Sequence, residues 1–329
     1  MAKGLVLVAG GGGFIGGHLV RDLLQKGRPV RAVDLKQFED WWQKHEGAEN
    51  LSLDLREKAN CETAVKGASQ VFNLAADMGG MGFIEKNKAL CMLSVLINTH
   101  LCLAAHKAGV KRYFYASSAC VYNADKQKSF EVVPLKEADA YPAMPEDGYG
   151  WEKLFGERMC RHFSEDFNLT TRVARFHNVY GPHGTWTGGR EKAPAAICRK
   201  VITAKLSGKL EIEIWGTGEQ TRSFTFIEDC VHGIDLIMNS SVAEPLNLGS
   251  EELISVNDLV SMVEDVAGVK LRRIYDPSAP RGVNGRNSDN TKIRALLGWA
   301  PNTHLRDGME LTYAWIYDQI VNRRRCPKY

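Results

Sequence analysis

The chain has 329 residues, of which 44% are hydrophobic and 25% are charged. This length predicts about two domains or one large domain with a lobe, and the composition excludes a disordered chain, a collagen-like fibre and a coiled coil. The net charge of +3, from 42 basic and 39 acidic side chains, gives no reason to expect nucleic acid or a membrane surface as a partner.

The first 34 residues are predicted to form a strand, a glycine-rich turn, a helix and a second strand. Leu5–Ala9 is a short apolar run, which is typical of a parallel strand buried on both faces. The run is too short for the apolar core of a signal peptide or for a membrane span. Apolar residues then recur at helical spacing over 14–27, and residues 29–33 form the second strand, which ends at Asp34.

Strands and helices continue to alternate as far as about residue 177. The predicted strands are 71–75, 112–117 and 171–176, and the predicted helices are 89–109 and 150–167. This alternation predicts an α/β fold with a Rossmann-type, doubly wound parallel sheet.

After residue 177 the pattern is less regular. It predicts a helix at 192–206 and strands at 210–215 and 245–248. A further element that packs on the sheet is predicted at 225–239. We therefore expect a smaller C-terminal α/β lobe that is built from insertions and a C-terminal extension.

The turn after the first strand has the spacing of a dinucleotide-binding loop. Gly10, Gly13 and Gly16 permit a tight turn and the approach of a pyrophosphate to the N-terminus of the following helix. Asp34 lies 18 residues after Gly16, where a carboxylate accepts hydrogen bonds from the ribose hydroxyls and repels a 2′-phosphate. The pattern predicts NAD in preference to NADP, whereas a purely structural glycine turn would not require Asp34.

Asp54 admits two interpretations. It is placed where a loop residue can contact the adenine, and it is equally suited to be an ordinary N-cap of the following helix. The other cofactor contacts that we expect at the ends of the first and third predicted strands are Phe14, Ile15, Leu74, Ala75 and Ala76.

A tyrosine and a lysine four residues apart indicate the chemical centre. Tyr149 and Lys153 share one face of a predicted helix, and a lysine ammonium beside a phenol lowers the pKa of the phenol. Ser117 and Ser118 end an earlier strand, at the sheet edge where parallel sheets bind ligands. Serine, tyrosine and lysine in this order after a glycine motif are typical of the short-chain dehydrogenase/reductase superfamily.

Further motifs make the resemblance narrower. The chain carries S-S-A-C at 117–120, R-E-K-A-P at 190–194, Q-T-R-S-F at 220–224 and M-G-G-M-G-F at 78–83. With G-R-N-S-D-N at 285–290, this set resembles the GDP-mannose 3,5-epimerase family, over about residues 4–320.

The resemblance implies an isomerase that uses NAD as a tightly bound, recycled cofactor. Tyr149 would take the proton of the C4″ hydroxyl while NAD takes the C4″ hydride, and Ser118 would hydrogen-bond the C4″ oxygen. The resulting ketone acidifies the C3″ and C5″ protons, and the resemblance assigns Cys120 and Lys192 as the proton acceptor and donor that invert these carbons. Both groups would need lowered pKa values to work at neutral pH.

The same resemblance implies the contacts of a GDP-sugar substrate. Besides Ser117, Ser118, Cys120 and Lys192, the matching positions are Gly79, Asn178, Glu191, Ala193, Lys200, Gln220, Arg222 and Arg286. Arg222 and Arg286 are suited to the diphosphate, because a guanidinium forms paired hydrogen bonds to phosphate oxygens. We expect residues 1–177, with a return segment at about 223–248, to hold NAD, and residues 178–222 and 249–329 to bind the nucleotide sugar.

Other functions are compatible with parts of this pattern. An NAD-dependent nucleotide-sugar 4-epimerase or 4,6-dehydratase is the nearest alternative, although a dehydratase needs a carboxylate where Ala119 and Cys120 stand. A GDP-fucose synthase also uses a cysteine but consumes NADPH, which Asp34 disfavours. A non-enzymatic NAD sensor would be expected to lose Tyr149 or Lys153, and both are present.

The eight cysteines form no C-x-x-C pair and no zinc-spaced cluster, so we expect reduced thiols, no metal and a cytoplasmic location. Cys120 is the one cysteine to which we assign chemistry. His177 and His183 are predicted to be scaffold residues, and the basic run 323–329 a frayed tail. By analogy with the superfamily we expect a homodimer, formed through apolar helix faces near 89–108 and 154–167.

Overall fold

Strands that alternate with helices build the fold of residues 4–129, 132–279 and 282–323, which the computed structural model describes. In chain order the strands are β1 (Leu5–Ala9), β2 (Val30–Asp34), β3 (Glu49–Ser52), β4 (Ala68–Asn73), β5 (Arg112–Ser118), β6 (Thr170–Phe176), β7 (Val179–Tyr180), β8 (Glu211–Trp215), β9 (Thr221–Ser223), β10 (Thr225–Phe226), β11 (Leu246–Leu248), β12 (Leu253–Ser255), β13 (Arg272–Asp276) and β14 (Gly285–Arg286). The helices are α1 (Phe14–Gln25), α2 (Lys58–Val65), α3 (Met81–Lys86), α4 (Lys88–Met92), α5 (Ser94–Lys107), α6 (Tyr149–Phe167), α7 (Ala193–Ser207), α8 (Ile227–Asn239), α9 (Val256–Ala267), α10 (Thr291–Leu297) and α11 (Leu305–Asp318).

A seven-stranded sheet in the order β11-β6-β5-β4-β1-β2-β3 forms the centre of the molecule. Every pair of neighbours in this sheet is parallel. The predicted Rossmann-type sheet is therefore confirmed, and its switch point lies between β1 and β4, where parallel sheets bind ligands at their carboxyl ends.

Helices cover both faces of this sheet. Val6 and Val8 of β1 pack with α1 and α8, whereas Leu7 and Ala9 pack with α2, α5 and α6. The alternation along β1 places each residue on the face opposite to its neighbour, and both faces are apolar because both are covered.

Three small sheets lie outside the central sheet. They have the strand orders β10-β7, β12-β9-β14 and β13-β8. All of their strands lie after residue 177, as expected for a C-terminal α/β lobe, while β11 returns to the edge of the central sheet beside β6. The assignment of 1–177 with 223–248 to the cofactor, and of the remainder to the sugar nucleotide, stays a prediction.

Three sequence predictions differ from the structure in detail. The helix predicted at 89–109 is two helices, because α4 ends at Met92 and α5 starts at Ser94. The element predicted at 225–239 is the strand β10 followed by α8. β3 was not predicted, and α2 was anticipated only as the helix that follows Asp54, without bounds. Residues 324–329 of the predicted basic tail lie outside the described residues.

Among the described residues, one segment has the length and composition of a membrane span. Lys88–Lys107 has a mean hydropathy of 1.6 and is 44% buried. A core helix of a soluble protein has the same properties, and α5 packs against α2 and α6 in the second layer of the fold.

Candidate active site

The turn between β1 and α1 leaves no room for side chains. Gly10 has a φ of +83°, and a Cβ on Gly16 would lie 2.0 Å from the carbonyl oxygen of Gly10. Gly13 precedes α1 and offers no side-chain cap. The first residues of α1 line a cavity, so this helix N-terminus is placed where a phosphate could bind.

A cavity of about 480 Å³ lies against this turn, and we call it the glycine-loop cavity. Every residue predicted to contact the cofactor lines it, namely Gly10, Gly13, Phe14, Ile15, Gly16, Asp34, Asp54, Leu74, Ala75, Ala76, Tyr149 and Lys153. Asp34 stands at the end of β2, and its Oδ1 accepts a hydrogen bond of 3.1 Å from the backbone of Lys36. These residues fit a dinucleotide, since the crowded turn, the helix N-terminus and the carboxylate stand in the required order along one cavity.

Asp54 is not the N-cap of α2, because Glu57 holds that position. The carboxylate of Asp54 instead accepts hydrogen bonds of 2.7–3.1 Å from the Arg56 guanidinium. This pairing with Arg56 lowers the pKa of Asp54. The N-cap interpretation is therefore wrong, and contact with adenine stays a prediction.

Ser118 and Tyr149 meet where β5 ends and α6 begins. The Ser118 hydroxyl accepts a hydrogen bond of 3.2 Å from the backbone of Cys120, and it caps the short turn 119–121. Lys153 is buried, with its Nζ 3.4 Å from Glu152 Oε2 and 5.6 Å from the centre of the Tyr149 ring.

The pKa of Tyr149 differs from the sequence-based expectation. Burial raises it well above the usual value for tyrosine, and Cys120 and Glu152 add to the rise, whereas contact with Ser118 lowers it. The expected lowering by Lys153 is therefore absent in the protein alone. A cationic nicotinamide in the adjoining cavity would supply the missing positive charge.

A second cavity, of about 260 Å³, lies between the sheet edge and the lobe, and we call it the lobe cavity. It is lined by Gly79, Ser118, Cys120, Asn178, Glu191, Lys192, Ala193, Lys200, Gln220, Arg222 and Arg286, which are all the predicted substrate contacts but one. The exception is Ser117, which lines the glycine-loop cavity and donates a hydrogen bond of 2.5 Å to Glu157. The structure thus separates the two neighbouring serines.

The two cavities share part of their walls. Met78, Ser118, Tyr149, Phe176 and Lys192 line both of them. A ligand in one cavity can therefore meet a ligand in the other beside the Tyr149 phenol.

Cys120 lies in a charged environment at this junction. Arg286 Nη1 is 3.6 Å from its Sγ, and the same guanidinium pairs with the Glu146 carboxylate. Burial and the Glu146 carboxylate raise the pKa of the Cys120 thiol to about 11, although Arg286 opposes the rise. The lowered thiol pKa expected from the sequence is wrong for the protein without its ligands.

Lys192 follows the expected direction. It precedes α7, and burial lowers the pKa of its amine, with Arg286 lowering it further and the charge of a Cys120 thiolate opposing the shift. The lysine and the cysteine therefore interact electrostatically across the lobe cavity.

Lys200 and Trp215 mark the outer part of the lobe cavity. Lys200 Nζ lies 3.2 Å from Glu213 Oε2 and 5.7 Å from the centre of the Trp215 ring. Gln220 donates a hydrogen bond of 2.7 Å to the carbonyl oxygen of Trp215. This end offers an aromatic ring with polar groups beside it.

The remaining predicted contacts have partners within the protein. Glu191 accepts hydrogen bonds from the backbone of Gly189, at 2.7 Å, and from Arg199, at 2.9 Å. Burial, together with the nearby charge of Arg286, lowers the pKa of Arg222 to about 10. Two guanidinium groups close enough to repel each other are suited to an anion between them.

Among the residues that line these cavities and that sequence reasoning missed are Glu146, Arg56, Arg190 and Trp215. Arg190 begins the motif R-E-K-A-P at 190–194, and Trp215 ends the predicted strand 210–215, so the sequence pointed to both positions. Glu146 and Arg56 had no such signal, because one acidic and one basic residue in a loop resemble any solvated charge.

Comparisons with known proteins agree with this geometry. The NAD dependent epimerase/dehydratase family matches residues 6–249. Over 320 residues the chain is 48% identical to the GDP-mannose 3,5-epimerase of Arabidopsis thaliana, covering 97% of this chain and 84% of that protein. It is also 48% identical to GDP-mannose 3,5-epimerase 1 of Oryza sativa subsp. japonica, covering 97% and 83%.

Solved structures with the same fold include other sugar-nucleotide enzymes. The UDP-glucose 4-epimerase of Thermotoga maritima, solved with UDP-glucose, superposes with a TM-score of 0.87 at 25% identity, covering 96% of this chain and 99% of that one. MoeE5 in complex with UDP-glucose and NAD gives a TM-score of 0.79 at 31% identity, covering 96% and 99%. With its family match and its 48% identity to curated relatives, this chain belongs to the NAD dependent epimerase/dehydratase family.

Proposed function

We propose that this protein is an NAD-dependent isomerase that epimerises GDP-mannose at C3″ and C5″. The product is GDP-L-galactose, and inversion at C5″ alone gives GDP-L-gulose. The observation that carries the proposal is the meeting of Cys120 and Lys192 with Tyr149 where the two cavities join. The 48% identity to the GDP-mannose 3,5-epimerase of Arabidopsis thaliana supports the choice of substrate.

The glycine-loop cavity supplies the groups that hold NAD. The N–H groups at the start of α1 would bind the pyrophosphate, Asp34 the adenine ribose, and Lys153 the nicotinamide ribose. When bound, NAD supplies the reversible removal and return of a hydride at C4″, which makes the neighbouring C–H bonds acidic.

Tyr149 and Ser118 act on the oxygen at C4″. Tyr149, as the phenolate, would take the hydroxyl proton and later return it from the phenol, and the Ser118 hydroxyl would hold the oxygen in place. The raised pKa of Tyr149 in the protein alone means that the phenol becomes a base only when positive charge is bound nearby. Proton removal is thereby linked to the presence of the cofactor.

Cys120 and Lys192 exchange protons with C3″ and C5″. In the free protein, burial raises the thiol pKa to about 11, so Cys120 is protonated at neutral pH, and burial lowers the pKa of the Lys192 amine. One of these two groups accepts a proton from the sugar and the other donates one. Inversion follows when acceptance and donation occur on opposite faces of the sugar ring.

The helix α7 sets the length of the lobe cavity. Lys192 precedes this helix, and Lys200 lies eight residues further along it, which at the helical rise corresponds to about 12 Å. This separation is comparable to that between the hexose and the base of an extended nucleoside diphosphate sugar. We therefore assign the sugar to the Cys120 end and the nucleoside to the Trp215 end, with Arg222 and Arg286 beside the diphosphate.

A nucleotide-sugar 4-epimerase is the main alternative. Such an enzyme inverts the carbon that is oxidised, so it needs no further acid and base beside the sugar. The buried thiol and the buried amine in the lobe cavity would then have no chemical role, and a dehydratase would lack a free carboxylate because Glu146 pairs with Arg286.

Isotope exchange tests the proposal. The protein is incubated with NAD and GDP-mannose in D2O, and the sugar is analysed by NMR. Because the thiol of Cys120 exchanges its proton with solvent, we expect deuterium at C3″ and C5″. No label at either carbon would refute the function, and label at C5″ alone would identify GDP-L-gulose as the main product.

A matched variant isolates the role of the thiol. Cys120→Ser removes a group that ionises near pH 11, while Cys91→Ser changes another buried thiol of the same apolar cluster. We expect exchange to be sharply slowed in Cys120→Ser and largely kept in Cys91→Ser, with NAD bound in both. Unchanged exchange in Cys120→Ser would remove Cys120 from the mechanism.

We further propose a homodimer in the cytoplasm, with no nucleic-acid or membrane partner. Apolar side chains that are 37–48% exposed on α5 and α6 support the assembly, and they are Leu96, Trp151 and Phe155. Seven cysteines of the described chain are buried free thiols, which suits a reducing compartment. Light scattering should give the mass of a dimer for the native chain and of a monomer for Phe155→Glu, and cell fractionation tests the location.

A further inference from the structure

Two segments from different parts of the chain clasp each other beside the reacting centre. One follows β4 and includes Asp77, Met78 and Phe83, and the other precedes α7 and includes Arg190. The backbone N–H of Gly80 donates a hydrogen bond of 3.0 Å to the carbonyl oxygen of Arg190. We call these two segments, residues 77–83 and Arg190, the clasp.

The approach of the two backbones requires glycine. A Cβ on Gly80 would lie 2.5 Å from the carbonyl oxygen of Glu191, and a Cβ on Gly79 would lie 3.2 Å from the Cα of Arg190. Contacts below 3.0 Å with backbone are not tolerated without a shift of the chain. The clasp is therefore a close backbone junction, to which side-chain contacts are added.

Arg190 makes the side-chain contacts of the clasp. Its guanidinium carbon lies 3.8 Å from the centre of the Phe83 ring, a distance that allows cation–π attraction. Its Nη1 is 3.4 Å from Asp77 Oδ1 and 3.4 Å from the carbonyl oxygen of Met78. The backbone N–H of Asp77 in turn donates a hydrogen bond of 2.9 Å to Ser94 at the start of α5. Arg190 is thus connected, through Asp77, to α5, which packs on the central sheet.

The position of the clasp relates it to both cavities. Asp77, Met78 and Arg190 line the glycine-loop cavity, whereas Gly79 and Gly80 line the lobe cavity together with residues 191–192. The clasp therefore forms part of the wall of both cavities, where the central sheet and the lobe approach each other. Opening it would loosen a wall of the glycine-loop cavity.

The proposed reaction makes a specific demand on this wall. A recycled cofactor must remain bound while one sugar nucleotide leaves and the next enters. Loss of the reduced cofactor in the middle of a turnover would release a ketone that can no longer be reduced. Contacts between the lobe and the central sheet that form without the sugar would keep the cofactor bound during this exchange.

We propose that Arg190 is a positioning residue that closes the clasp and thereby retains NAD between turnovers. The inference rests on the proposed function only in that the cofactor is recycled. It assigns no contact between Arg190 and the sugar.

Cofactor retention is measured without any sugar. The native protein and Arg190→Gln are loaded with NADH, mixed with excess NAD, and the dissociation rate is read from the loss of NADH fluorescence. We expect Arg190→Gln to release NADH at least about tenfold faster, since a tenfold change corresponds to about 1.4 kcal/mol and the variant loses an ion pair and a ring contact. Arg306→Gln is the matched control, because Arg306 forms an exposed pair with Glu310 on α11.

Further variants test the same contacts if Arg190→Gln folds poorly. Asp77→Asn removes the charge partner and Phe83→Leu removes the ring, and each should accelerate release by a smaller factor. Arg190→Lys should restore part of the retention, because it keeps the charge without the planar group. Equal dissociation rates in the native protein and all of these variants would overturn the proposal.

Steady-state kinetics separate this role from a merely structural one. Arg190→Gln should need added NAD, with a measurable KM for NAD and a kcat close to native at saturation. A kcat that stays low at saturating NAD would refute a role confined to retention. Failure of the proposed function would appear instead as a native protein that holds NAD and labels no carbon in D2O.

Discussion

The protonation state of Cys120 gives a quantitative prediction. With a pKa of about 11, roughly 0.1% of this thiol is ionised at pH 8, whereas an ordinary cysteine of pKa about 8.5 is roughly one quarter ionised. Because only the thiolate reacts with iodoacetamide, alkylation of Cys120 at pH 8 should be about 200-fold slower than that of an ordinary accessible thiol. Glu146→Gln should lower the pKa, since the carboxylate contributes to its rise.

The assay follows alkylation of Cys120 by mass spectrometry between pH 7 and pH 11.5 in the protein without ligands. The rate should still be rising at pH 10 in the native chain, and its midpoint should move to lower pH in Glu146→Gln. Cys120→Ser supplies the background from the other thiols. A native midpoint at or below pH 9 would refute the reasoning, because burial would then not control this thiol.

Three further predictions concern the cofactor, the scaffold and the nucleoside. Gly16→Ala should abolish NAD binding in calorimetry, because its Cβ would lie 2.0 Å from a backbone oxygen, whereas Gly47→Ala, with its nearest atom at 3.5 Å, should bind normally. Glu157→Gln should destabilise the fold by about 3–5 kcal/mol in urea unfolding, since it breaks the buried pair with Arg175 at 2.7 Å; a loss below about 1 kcal/mol would contradict this. Trp215→Ala should weaken GDP binding by about 1–3 kcal/mol, and unchanged affinity would place the base elsewhere.

Strong periodicity made most of the central sheet predictable. The bounds of β1 agree with the predicted strand, and β5 and β6 agree within one residue at each end. β3 escaped prediction because it is an edge strand whose four residues include no fully buried side chain, so its sequence lacks an apolar run. The break at Leu93 also left no signal, since apolar residues continue through it.

The residues of the site were more predictable than their electrostatics. Motifs placed Cys120, Lys192 and Arg286 in one cavity although 166 residues separate the first from the last. The pKa of Cys120 could not be read from any motif, because it depends on burial and on Glu146, whose position is set by tertiary packing. Sequence patterns identify which groups meet, while the folded surroundings decide which of them carries the proton.

The return of β11 to the central sheet has a consequence for protein engineering. Because Leu246–Leu248 pairs with β6, a fragment ending at residue 177 would expose β6 as an unprotected sheet edge, prone to join other chains. The segment 1–177 is thus not a detachable module. New sugar specificities should be easier to obtain by exchanging the lobe segments between β6 and β11 than by fusing separate domains, because such exchanges keep both ends of the sheet covered.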